Sequence, residues 1–74
     1  MYTITVKTNA GEKKEYNVID KELAIFMFKA FMKALDLDDV VMIDGLTGEV
    51  LYLYSKSEGY LVYNSTVIDP KYMS

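Results

Sequence analysis

The chain reads as an α+β domain in the order ββαβββ, a mostly antiparallel sheet with one helix packed on one face. Three observations predict this. The first residues, MYTITVKT, alternate apolar and polar, and a second short run follows a turn. The stretch ELAIFMFKAFMKAL, Glu22 to Leu35, has helical periodicity behind a capping aspartate. The remainder divides at glycine-bearing turns into runs rich in β-branched residues and tyrosine.

In the first strand Tyr2, Ile4 and Val6 share one face, while Thr3, Thr5 and Lys7 share the other. That is the period of a half-buried strand. Asn9-Ala10-Gly11 supplies a turn, and Lys14 to Ile19 returns with Tyr16 and Val18 on one face, completing a hairpin. Asp20 stands at the N-cap with Glu22 in the first turn, and the helix is expected to run to about Leu35 or Asp36. Asp38 to Asp44 holds the run VVMI and forms the third strand. Asp44-Gly45-Leu46-Thr47-Gly48 turns the chain into the fourth, EVLYLYS, and Lys56-Ser57-Glu58-Gly59 into the fifth, YLVYN. Residues 65–74 read as a tail, ended as a regular element by Asp69-Pro70 and able to lie against the sheet. The whole is one domain, 1–74. Hairpin, helix and hairpin in succession resembles the β-grasp order of ubiquitin-like and immunoglobulin-binding domains. The resemblance is one of element order, and the fifth strand departs from it.

At about 100° per residue, a helix face centred on Phe31 gathers Ala24, Met27, Phe28 and Leu35. Glu22, Lys29, Lys33 and Asp36 fall opposite. Three apolar residues do not fit a one-sided helix: Phe26 lies near the polar stripe, and Ile25 and Met32 lie on its shoulder. The strands pose the same problem. Val40 and Met42 oppose Val41 and Ile43; Val50, Tyr52 and Tyr54 oppose Leu51 and Leu53; Tyr60 and Val62 oppose Leu61 and Tyr63. Strands apolar on both faces are covered on both faces, and one helix covers one. The second face therefore calls for the tail, a neighbouring subunit or a ligand. The expected contact surface is the outer sheet face around Tyr52, Tyr54 and Tyr60, or the helix shoulder at Ile25, Phe26 and Met32.

Composition limits the chemistry. A core of 74 residues is marginal without a disulfide, a metal or a partner subunit. There are no cysteines and no histidines, so disulfides, thiolate chemistry and imidazole catalysis are all excluded. No phosphate-binding loop, nucleophile elbow or dinucleotide fingerprint occurs. The reading is of a non-enzyme with no catalytic residue, no cofactor and no metal. Asp36-Leu37-Asp38-Asp39 fails as a calcium loop, since its sixth position is Val41 and its twelfth Thr47; a solvated acidic turn accounts for it. The net charge is −3 and all eight basic residues are lysines. That balance opposes nucleic-acid binding, which draws on positive charge and the arginine fork. The alternative reading is single-stranded nucleic acid stacked on a tyrosine-bearing sheet face.

No signal peptide or membrane-length apolar run is visible, so the expected location is cytoplasmic, with no membrane partner. Asn64-Ser65-Thr66 matches a glycosylation sequon that the absence of a secretory signal makes incidental. The functional expectation is a small acidic protein–protein interaction module, self-associating as a homodimer or docked on a protein partner. By analogy of size and charge, it suits an accessory protein of a bacterium, phage or mobile element.

Overall fold

The computed structural model describes residues 1–69 and 71. Seven elements follow in order: β1 (Tyr2–Thr8), β2 (Lys13–Val18), α1 (Lys21–Lys33), β3 (Leu37–Asp44), β4 (Val50–Ser55), β5 (Tyr60–Tyr63) and β6 (Thr66–Ile68). The strands form one sheet in the order β2-β1-β3-β4-β5-β6, antiparallel at every junction. The helix carries the chain from β2, past β1, to β3 on the far side, and β3 to β6 continue as a meander. Through β4 the elements follow the expected hairpin, helix and hairpin, and β5 and β6 add two further strands.

The sixth strand lies where a tail was expected. Tyr63 pairs with Thr66 around a two-residue turn, Asn64-Ser65, with φ of 51° and 68°. Positive φ at both central residues is the mirror-image turn whose twist suits a tight hairpin. Ile68 pairs with Leu61 and packs on the core. Pro70 and residues 72–74, which the expected tail includes, lie outside the described residues.

Two irregularities set which side chains enter the core. The β1–β3 ladder shifts between Lys7 and Thr8, so Thr8 pairs with Leu37 and Asp38 is left over. Such a bulge turns Leu37 onto the same face as Val40 and Met42. The β3–β4 ladder shifts between Met42 and Ile43, which leaves Leu51 over. The core consists of Ile4, Val6, Val18, Ala24, Phe28, Leu37, Val40, Met42 and Leu61.

Asp20 caps the helix as expected: its carboxylate accepts the Glu22 N–H at 3.1 Å. The C-terminus differs. The helix stops at Lys33, and Leu35 is 86% exposed instead of lying on the buried face. The carbonyls after Lys33 are drawn elsewhere. Lys56 Nζ donates to the Ala34 carbonyl at 2.7 Å, Asn9 Nδ2 to that of Leu35 at 3.2 Å, and the Asn9 N–H to that of Asp36 at 3.0 Å. A lysine at the carbonyl end also suits the helix dipole. At the other end of the sheet, the Gly45 N–H donates to the Met1 carbonyl at 2.8 Å. A Cβ on Gly45 would sit 2.8 Å from that same oxygen, so the close approach requires glycine.

Candidate protein-binding surfaces

The ladders fix which residues share a face, because directly paired residues point the same way. Val41 pairs with Leu53, Leu53 with Val62, and Val62 with Val67. These four make an unbroken apolar row across β3 to β6, on the face away from the helix. Ile43 and Val50 form a second pair on that face. Toward β1 and β2 the long row becomes Thr5 and Glu15. The neighbouring row runs Tyr60, Ser55, Asp39, Lys7 and Lys13. The open face is therefore apolar along the middle of β3–β6, with Asp39 and Ser55 at one end, and polar over β1–β2. Val41, Ile43, Leu53, Tyr60 and Val62 remain partly exposed, none packs on the core cluster, and Val67 is 67% exposed.

The tyrosines are not gathered there. Tyr52 and Tyr54 pair with Met42 and Val40, two core residues, and so face the helix. The Tyr52 ring lies 5.3 Å from that of Phe28 and stacks on that of Tyr63 at 4.7 Å. The expectation of one outer face around Tyr52, Tyr54 and Tyr60 is corrected: only Tyr60 lies on it. The alternation within each strand was legible. The phase between strands was not, because it is set by the ladder register and its bulges. The rings thus divide between the faces, with Tyr52, Tyr54 and Tyr63 on the helix side and Tyr60 on the other.

Burial raises the Tyr52 phenol above its ordinary value of 10.0, and the neighbouring Tyr63 phenol adds to the rise. The linkage follows from that direction. The unfolded chain ionises near pH 10, while the folded chain still holds the Tyr52 proton, so the contribution present below pH 10 is lost as the pH rises through the folded value. Denaturation by urea at stepped pH above 9 is expected to show stability falling less steeply in Tyr52→Phe than in the parent. Parallel curves would mean that Tyr52 does not titrate in this range.

On the helix the buried stripe is centred on Phe28. Phe31 meets Tyr16 of β2 at 5.3 Å between ring centres, and Phe28 meets Tyr52 of β4. Ile25 and Met32 fall on the Tyr52 side of Phe28 and pack against the core. Both are thus explained by a stripe centred one turn from Phe31, and neither forms an outward shoulder. Phe26 alone of the three points out, 69% exposed.

The acidic cluster is dispersed. Asp36 lies in the connection after the helix, Asp38 in the bulge, and Asp39 on the open face between Lys7 and Ser55. Among the described residues no three His, Cys, Asp or Glu groups lie together as a metal site would need. A shallow hollow on the open face is lined by Thr5, Lys7, Lys13, Asp39 and Val41. It brings two lysines and one aspartate together on neighbouring strands, with Lys7 set across from Asp39 on one side and Lys13 on the other. A broad groove between β2 and the helix is lined by Tyr16, Val18, Ile19, Leu23 and Met27, with Glu15 and Asp20 also bordering it. No helix among the described residues is long and apolar enough to cross a membrane. Comparison with protein-family models, curated proteins and solved structures finds no match.

Proposed function

We propose that this protein is a non-enzymatic, cytoplasmic interaction module that self-associates through the open face of β3–β6. One observation carries the reading. The row Val41–Leu53–Val62–Val67 is continuous and apolar, and no element among the described residues lies over it. Water against such a row is unfavourable, and a second sheet about 10 Å away removes it. The dimensions suit a second copy. The chain is a slab of 29 × 26 × 18 Å, and one broad side offers an area on the order of the roughly 800 Å² that each partner buries in a standard interface. The polar β1–β2 half of the face would form the rim.

Sedimentation velocity over a rising concentration series tests this. The parent is expected to form dimers. Leu53→Glu, at the middle of the row, is expected to weaken dimerisation by about 30-fold or more, as loss of a central interface residue does. Its circular dichroism and melting temperature should stay close to the parent's. A parent that stays monomeric at high micromolar concentration would end the self-association reading.

A further inference from the structure

We infer that the outward side of α1 is a second self-recognition surface, on which the helix of another copy lies antiparallel. It is independent of the sheet face, being on the opposite side of the slab. The helix carries two apolar stripes. One, centred on Phe28, covers the sheet. The other is Leu23, Phe26 and Ala30, spaced by three and then four residues, which is the spacing of a coiled-coil seam. Phe26 stands roughly 160° around the helix from Phe28, so this stripe faces away from the sheet. Leu23 is 50% exposed, Phe26 69%, and Ala30 is exposed.

The charges beside the stripe select the occupant. Glu22 and Lys29 are seven residues apart, so both flank the same side of it; both are exposed and they have opposite sign. A twofold axis perpendicular to the helix sets each Glu22 against the Lys29 of the other copy, twice over. The same operation places Phe26 of one copy against Leu23 of the other. In a parallel arrangement the Glu22 and Lys29 flank would meet the Met27 flank, and no charge pair would form. The surface is therefore complementary to itself in the antiparallel orientation. Its length, about two turns of helix, makes it a weaker contact than the sheet face.

The test uses the full chain carrying Leu53→Glu, which silences the sheet face. This variant is expected to retain reversible association at high micromolar concentration in sedimentation equilibrium. Adding Glu22→Lys, or Lys29→Glu, is expected to weaken it roughly tenfold, since attractions become repulsions. Combining both should restore it, because the pairs reform with their signs exchanged. Phe26→Ser, at an exposed position, should abolish it and leave the circular dichroism unchanged. Three results overturn the inference: a Leu53→Glu chain that is monomeric throughout, association that survives Phe26→Ser, or a double charge exchange no better than the single ones. Failure of the sheet-face reading looks different, since Leu53→Glu would then associate as strongly as the parent.

Discussion

Replacing Phe28 by alanine is expected to remove a large share of the protein's stability. Phe28 is 0% exposed, sits among Ile4, Met42 and the rest of the core, and meets the Tyr52 ring. Truncating a fully buried phenylalanine costs about 3–5 kcal/mol, from lost transfer energy and the cavity left behind. A domain of 74 residues is stable by roughly 4–11 kcal/mol, at typical stability per residue. The loss is thus from about a third of the whole to nearly all of it. The chain has no cysteine with which to offset it. The same helix supplies its own controls. Phe31→Ala, at a partly buried ring against Tyr16, should cost less than Phe28→Ala. Phe26→Ala, at an exposed ring, should change the monomer's stability by no more than about 0.5 kcal/mol. Urea melts of the three variants at low protein concentration measure the order. An equal cost at all three positions would mean that the helix does not present Phe28 alone to the centre of the sheet.

The architecture was legible wherever a period repeats. Tyr2–Lys7 alternates, and it forms β1 with Ile4 and Val6 buried. Asp20 announces the helix start, and it caps it. What a single strand's alternation cannot encode is the phase of the next strand. The faces of Tyr52 and Tyr60 are decided by the pairing of Tyr52 with Met42 and of Tyr60 with Ser55, and these are tertiary facts. Bulges compound this: Leu37 enters the core only because Asp38 is left over. The strand β6 escaped for a local reason. It is three residues long, and its turn is Asn64-Ser65 where glycine usually signals positive φ. The helix end escaped because its determinants, Asn9 and Lys56, are distant in the chain. The candidate surfaces were legible as an excess of apolar residues. Their location was not: of the six residues expected at an interface, Tyr60 and Phe26 point outward, while Ile25, Met32, Tyr52 and Tyr54 pack on the core.

Tyr52→Glu is expected to destabilise the monomer by about 3 kcal/mol, through loss of a packed aromatic and insertion of a carboxylate among apolar groups. The ring it removes contacts Phe28 on one side and Tyr63 on the other. No lysine pairs with it across either ladder; its strand neighbours are Met42 and Tyr63. Tyr52 is partly exposed, so the carboxylate ionises at the edge of the helix–sheet contact, where the apolar rings beside it strip part of its hydration. Raising the pH from 4 to 8 should deepen the loss, because the charged form is the costly one. The adjacent Leu53 makes the comparison informative. It carries the same substitution one residue along the same strand, but it pairs with Val41 and Val62 on the open face. There a glutamate meets water in the monomer, so Leu53→Glu is expected to lower association and leave the melting temperature of the dilute protein almost unchanged. Differential scanning fluorimetry at low concentration separates the pair. If Leu53→Glu proves the more destabilising of the two in the isolated monomer, something of the chain's own covers the open face. If Tyr52→Glu melts like the parent, the helix does not cover β4. The two residues differ by one position and by the side of the sheet, so the contrast measures what covers each side.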